Sequence, residues 1–306
     1  GYEVVYGGKV HLPMMSIKDV GFDYLVKDER DELAQVCAEY LQKNQDKPFL
    51  LIASFINPHD ICYMAIRDSQ STESEKSLVK QGITEIATLD KALERPAGTS
   101  EQEFFQTHCP PLPENFEPQI DEPEAIRWLL AQRPFREYAR ENWTPERWRE
   151  HRWAYCKLTE MVDAQISIVL DALKNSGKAD ETIVIFTSDH GDMDASHRME
   201  HKTAFYDEAC RIPLIACGPG IKSGVVDTEH LVSNGLDLVP TLCDYAGATK
   251  PPELKGKSLR PILEGENPAS WRTAVPLESE IGKMIVTKNH KYMVYDRGKN
   301  EEQFFD

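Results

Sequence analysis

The sequence holds no C-x-x-C pair: its seven cysteines, Cys37, Cys62, Cys109, Cys156, Cys210, Cys217 and Cys243, stand far apart. An odd count without short spacings argues against a zinc ribbon and against a disulfide scaffold. Long apolar runs are missing too. None approaches the roughly 20 residues of a membrane-spanning helix, so no membrane span is expected. Positive charge is scarce: 35 Lys and Arg stand against 51 Asp and Glu, for a formal net charge of −16. That balance argues against a nucleic-acid partner, which is met by a basic face. It also means that an anionic substrate has to be captured by local positive charge. An initiator methionine and a signal-peptide pattern are lacking as well. Gly1–Tyr6 reads like the start of a mid-domain strand, and Gln303–Asp306 stops inside an apolar pattern, so the expectation is a piece of a longer protein. What is present has the composition of a globular chain, and 306 residues suffice for one large domain or one large and one small.

The stretch Thr182–Pro213 carries the most chemistry. Thr182–Phe186 is a short apolar run that reads as a buried strand, and Asp189-His190-Gly191 follows at once. A glycine there lets the backbone turn and leaves the preceding side chains at the strand's carboxyl end, where open α/β sheets keep their ligands. His197, Arg198, His201 and Lys202 then form a small cationic island. A carboxylate for a hard cation beside cations for an anion suits hydrolysis of a charged ester.

Earlier in the chain, Glu3–Tyr6 is a strand candidate, and the glycines that follow present Lys9 and His11 two residues apart on one side of an extended segment. Spacing alone does not separate this from an ordinary loop. Lys27–Gln45 has helical apolar spacing. Phe49–Ile56 is almost wholly apolar and reads as a central parallel strand. His59 stands at its tip in Asn57-Pro58-His59-Asp60, a placement that suits catalysis and equally suits a turn. Residues 61–142 lack regular patterning apart from a possible helix within Ser69–Leu93; they read as an irregular insertion that shapes a pocket or forms a lid. Thr144-Pro145-Glu146 opens a long helix running to about Asn175, with Thr144 as N-cap, and its Met161 and aromatic stripe read as core. That helix feeds the strand at Thr182, as in a doubly wound sheet. Arg211–Cys217 is another strand. Asn234–Tyr245 is a helix with its proline near the start. Thr273–Glu278, Met284–Thr287 and Lys291–Tyr295 are close-spaced strands of an antiparallel sheet.

Five marks then coincide in order: Gly8-Lys9-Val10-His11-Leu12, Phe55-Ile56-Asn57-Pro58-His59, Thr187-Ser188-Asp189-His190-Gly191, His201-Lys202 and Arg211-Ile212-Pro213-Leu214. Together they resemble the sulfatase family of the alkaline-phosphatase-like superfamily. The resemblance implies an α/β fold: a mostly parallel sheet flanked by helices, with a small C-terminal antiparallel α+β subdomain. A catalytic domain over 1–265 and the start of that subdomain over 266–306 are expected. It also implies a divalent cation, most often calcium, with Asp189 and His190 at ligand positions. The family commonly has Asn at the second, and an oxygen-only calcium site would not choose imidazole, so His190 could instead contact the nucleophile or the sulfate. Lys9 and Lys202 match the lysines that neutralise sulfate oxygens, and His11 and His59 the histidines that move protons. His197, Arg198 and His201 are candidates for substrate contacts, with a solvated loop as the alternative for the first two.

One departure dominates. The family nucleophile is a formylglycine made from a Cys/Ser-x-Pro-x-Arg motif upstream of the Gly-Lys-x-His segment, and two further metal aspartates belong to that region. No such motif is present; Cys217-Gly218-Pro219 comes nearest, with Ile221 where arginine should stand. The expected function is metal-assisted hydrolysis of a sulfate ester on a sulfated sugar or glycan. The alternatives are a phosphodiesterase or phosphonate monoester hydrolase of the same superfamily, and a non-catalytic anion-binding homologue. Family habit places such proteins in the periplasm, the cell exterior or the lysosome.

Overall fold

In the computed structural model, which describes residues 1–306, the chain divides into two units. The first comprises residues 1–113 and 138–180, the second residues 114–137 and 181–306.

The first unit is built on a parallel sheet of order β2-β1-β3, formed by β1 (Glu3–Gly8), β2 (Asp23–Val26) and β3 (Phe49–Ser54). The register of β1 with β3 runs from Glu3 opposite Phe49 to Gly8 opposite Ser54. Both strands therefore end together, and Lys9 follows by donating its N–H to the Ser54 carbonyl at 2.8 Å. Gly8 is required here: its φ is +90°, and a Cβ would lie 2.2 Å from the Ser54 carbonyl oxygen. The run at Phe49 is parallel as expected, but β3 pairs with β1 alone and is half-buried along its length.

The helix expected from Lys27 begins only at Leu33 and runs to Gln42. Asp28 Oδ1 accepts the N–H groups of Arg30, Asp31 and Glu32, and a carboxylate that captures three successive amides holds a turn in place of a helix. This helix packs against the long helix Pro145–Asn175. The long helix starts where Thr144 Oγ1 accepts the Arg147 N–H at 3.2 Å. It buries Trp148, Trp153, Leu158, Val162 and Leu173, while Met161, Ile166 and Val169 are half-buried and Leu170 is exposed. The region beginning at residue 61 is more regular than its composition suggests. Helices Cys62–Ser69, Glu73–Gln81 and Ile83–Leu93 occupy it in the first unit. The second of them opens on a reciprocal cap between Thr72 and Glu75.

In the second unit, β4 (Val184–Thr187) and β5 (Leu214–Cys217) pair antiparallel, Val184 opposite Cys217 and Thr187 opposite Leu214. This corrects the doubly wound step expected at Thr182, and β4 is half-exposed rather than buried. A parallel return needs a crossover back along the strand. Residues 188–213 instead hold only single helical turns, so the chain stays at the carboxyl end of β4 and leaves in the opposite sense. The strands β6 (Ala274–Ser279), β7 (Gly282–Thr287), β8 (Lys291–Tyr295) and β9 (Glu302–Phe305) form the expected antiparallel sheet, in sequential order. Helix Asn234–Tyr245 carries Pro240 in its interior, not near its start.

One apolar core joins these parts. Ile126 and Leu129 from helix Glu124–Ala131 meet Met193, Met199 and Phe205 from the segment after β4, together with Ile281, Met284, Met293 and Tyr295 of the sheet. The chemistry-bearing loop is thus nailed into the core at several points.

Candidate active site

The first unit presents its candidates at the carboxyl edge of the parallel sheet. Lys9 leaves β1 there, its own carbonyl accepting the Tyr6 hydroxyl hydrogen at 2.5 Å, while the Gly8 carbonyl accepts that of Tyr24 at 2.7 Å. These two phenols fix the path of the backbone from which the lysine projects. His11 lies beyond, exposed. At the end of β3 a cis Asn57–Pro58 peptide leads into a single turn, His59–Ile61. Asn57 Oδ1 accepts the Asp60 N–H at 3.1 Å and holds this turn closed. Asp60 itself is fully buried and accepts two hydrogen bonds from Arg30, Nε to Oδ2 at 2.8 Å and Nη2 to Oδ1 at 2.6 Å. Burial pushes the Asp60 carboxyl up, but the Arg30 contacts outweigh it and hold it below the ordinary carboxylate range.

In the second unit Asp189 and His190 follow β4 directly. His190 Nδ1 meets the Gly191 carbonyl at 2.7 Å. A carbonyl only accepts, so Nδ1 carries the hydrogen and Nε2 keeps the lone pair, 3.6 Å from Asp189 Oδ2. The Asp189 carboxylate is 65% exposed. Gly191 makes the turn possible, because a Cβ there would fall 1.9 Å from the Glu208 carbonyl oxygen. An exposed carboxylate oxygen beside an imidazole lone pair fits two corners of a cation site. It does not fill one, since calcium takes six to eight ligands, and no group of three or more His, Cys, Asp and Glu ligands stands together in the chain.

The loop that follows is closed by backbone hydrogen bonds, Met193 N–H to the His201 carbonyl at 2.7 Å and Ala195 N–H to the Met199 carbonyl at 3.0 Å. His197 is buried, its ring 4.3 Å from that of Tyr206 and its Nδ1 3.3 Å from the Glu117 carbonyl. Arg198 donates to Glu117 Oε1 at 2.8 Å and lies over the Phe116 ring. Both side chains therefore anchor the loop to residues 116–117. His201 is in ion-pair contact, through Nδ1, with the buried carboxylate of Glu200, and its ring lies 5.4 Å from that of Phe135. Burial pushes the Asp192 carboxyl up to about 7, with the charge of Lys202 pulling the other way.

Within each unit, then, the structure brings Lys9 and His59 to one sheet edge and Asp189 to His190. Sequence reasoning missed Arg30, Asp60, Glu117, Asp192 and Glu200. Asp192 alone left a local sign, the second acid of Asp189-His190-Gly191-Asp192.

Comparison with known proteins identifies the family. The family model described as Sulfatase matches residues 1–248, and that described as N-sulphoglucosamine sulphohydrolase, C-terminal, matches residues 195–305. The chain belongs to the sulfatase family. Among its relatives is a Delta 4,5-hexuronate-2-O-sulfatase of Bacteroides thetaiotaomicron, 30% identical over 99% of this chain and 62% of the relative. The solved structure of a 2-O GAG sulfatase matches with a TM-score of 0.78 and 30% identity, covering the whole chain and 65% of that structure. The fold is shared, at a TM-score of 0.71 and 19% identity, by a protein solved in complex with its substrate D-glucosamine-2-N,6-O-disulfate; the match covers the whole chain and 73% of that protein. The chain thus spans less than two thirds of the hexuronate sulfatase and of the 2-O GAG sulfatase structure.

Proposed function

We propose that this chain forms the greater part of the catalytic region of a sulfuric ester hydrolase acting on a sulfated glycan, with a sulfate on a uronic acid as the first substrate to test. The observation that carries the reading is the end-to-end likeness, 30% identity over 99% of the chain, to a hexuronate-2-O-sulfatase. The candidate residues fit that chemistry in kind.

In this reading Asp189 and His190 would supply two ligands of a divalent cation, calcium by family habit, which when bound would offset the negative charge of a sulfate. Lys9 in the first unit and Lys202 in the second are each cations of the kind that hold sulfate oxygens as charge builds on them; fixed cations of this kind stabilise a transition state without reorganising. His59, at the sheet edge, and His11 hold and deliver protons near the ester oxygens, work suited to an imidazole, which can both accept and donate a proton. The formylglycine of the family, which supplies the attacking oxygen, corresponds to no residue of this sequence. His197 and Arg198 act as loop anchors and His201 as a candidate for substrate contact.

The test is sulfate release by the protein expressed from its gene, measured on an unsaturated 2-O-sulfated disaccharide, an aryl sulfate and an aryl phosphate, with and without Asp189→Ala. Sulfate release from the disaccharide, lost in Asp189→Ala and after chelation, is expected. Faster turnover of the phosphate would move the protein to the phosphoesterase branch of the superfamily. Undiminished turnover by Asp189→Ala would remove the metal assignment.

A further inference from the structure

His59 has one face in the protein and one toward solvent. Its side chain is 36% exposed, yet its Nδ1 is buried and makes no hydrogen bond. Buried polar atoms are almost always paired, so this nitrogen calls for a partner. The acceptor facing it is Asp60 Oδ1, 3.9 Å away. That is too long for a hydrogen bond as it stands, but catalytic contacts are often long in the empty enzyme and tighten when substrate binds. Asp60 is not free to swing. Arg30 grips both of its oxygens, Asn57 holds its backbone amide, and Arg30 in turn lies 3.1 Å from Glu29 and 3.4 Å from Glu85. The carboxylate is therefore a fixed negative acceptor under the inner edge of the imidazole.

Resting on the sulfatase reading of His59, we propose that Asp60, clamped by Arg30, is a positioning residue that sets the His59 tautomer. The Nδ1 hydrogen points inward to Asp60, and the Nε2 lone pair points outward to take up the proton it delivers to the ester oxygen. A base oriented by a third group is the general logic of activated catalytic sites. Arg30 has a second part in it. By engaging both Asp60 oxygens it fixes the plane of the carboxylate, so the acceptor facing Nδ1 keeps one direction. In Asp60→Asn the amide oxygen would remain with Arg30 and the NH2 would turn to Nδ1. That favours the opposite tautomer, with the hydrogen on Nε2.

Two measurements test this. The first needs no activity: long-range 1H–15N spectra of the histidine-labelled wild-type protein at mildly alkaline pH, with His59 assigned through His59→Gln. The bare nitrogen is expected at Nε2 in the wild type and at Nδ1 in Asp60→Asn; a bare Nδ1 in the wild type overturns the proposal. The second compares substrates with poor and good leaving groups. A sugar sulfate needs its leaving oxygen protonated and an activated aryl sulfate does not. Asp60→Asn is expected to lower kcat about 10- to 1,000-fold on the sugar sulfate, with KM within about twofold, and far less on the aryl sulfate. Equal losses on both would mark Asp60 as merely structural. Should Asp60→Asn fail to fold, the wild-type spectrum decides alone. Should the wild type release sulfate from neither substrate, the sulfatase reading falls and the tautomer measurement still decides this inference.

Discussion

Replacing one of two adjacent glycines by alanine separates backbone geometry from packing at the very place where Lys9 is presented. At Gly7 an added Cβ would meet Leu33 Cδ1 at 2.7 Å and Val26 Cγ1 at 3.5 Å. Both are side-chain carbons, and Leu33 can change rotamer. At Gly8 the Cβ would meet the Ser54 carbonyl oxygen at 2.2 Å and Leu33 Cδ2 at 2.7 Å, with φ at +90°. Ordinary carbon contacts lie at about 3.5–4.0 Å, so the overlap exceeds an ångström, and a strand carbonyl has no rotamer to escape into. Overpacking alone costs about 1–3 kcal/mol. A non-glycine residue held at positive φ costs about 1–3 kcal/mol more. Gly7→Ala should therefore destabilise by about 1–2 kcal/mol and Gly8→Ala by about 3–5 kcal/mol. Urea unfolding followed by circular dichroism reads the difference as a shift in midpoint at unchanged slope. The same carbonyl accepts the Lys9 amide, so Gly8→Ala should also displace that lysine and lower kcat on a sulfate ester more than Gly7→Ala does. Equal stability losses in the two variants would refute the reasoning.

Further outcomes follow from other contacts. Asp237 is fully buried, ion-paired with Arg272 and bonded by the amides of Ser233 and Lys257, so Asp237→Ala leaves the largely buried Arg272 guanidinium without its carboxylate. It should cost about 3–5 kcal/mol in urea or thermal unfolding. His151 is buried beside Trp143 and Trp148, and burial, with Arg147 and Arg152 adding to it, pulls its pKa down to about 3. The folded state then binds fewer protons than the unfolded state between about pH 6.5 and pH 3. Stability should fall as the pH drops through that window, by up to roughly 5 kcal/mol. His151→Gln should flatten this acid limb in pH-dependent unfolding. Calcium should raise the thermal midpoint of the protein, and Asp189→Ala should abolish the shift, as read by differential scanning fluorimetry.

What could be read from the sequence was what neighbouring residues decide. Thr144 and Pro145 announced the long helix, and the spacing of the last strands announced the antiparallel sheet. Thr72 and Glu75 carry an equally good signature, three residues apart, inside Ser69–Leu93, where only a possible helix is expected. The failures lie where distant residues compete. Nothing near Asp28 says that its carboxylate will capture three amides and delay a helix. Nothing near Asp60 says that its counterion stands thirty residues earlier. The sense of β5 depended on whether residues 188–213 cross back along β4, and an apolar run looks the same in either direction. His197 and Arg198 read as a cationic island because the sequence hides Glu117, which lies eighty residues away and accepts from both.

The loop after Asp189 holds a last consequence. Asp194, Ala195, His197, Arg198, His201 and Thr203 all have positive φ, and none is glycine. Each such residue costs of order 1–2 kcal/mol, and the loop is held against that cost by its own backbone bonds, by the Glu117 contacts and by Met193, Met199 and Phe205 sunk in the core. The loop that presents Lys202 is thus spring-loaded against its own anchors. In native-state hydrogen exchange its amides should open at a smaller free energy than those of β6–β8, and together rather than singly. Mild denaturant should then open this loop while the sheet beneath remains folded, releasing a few methionine and phenylalanine side chains ahead of global unfolding.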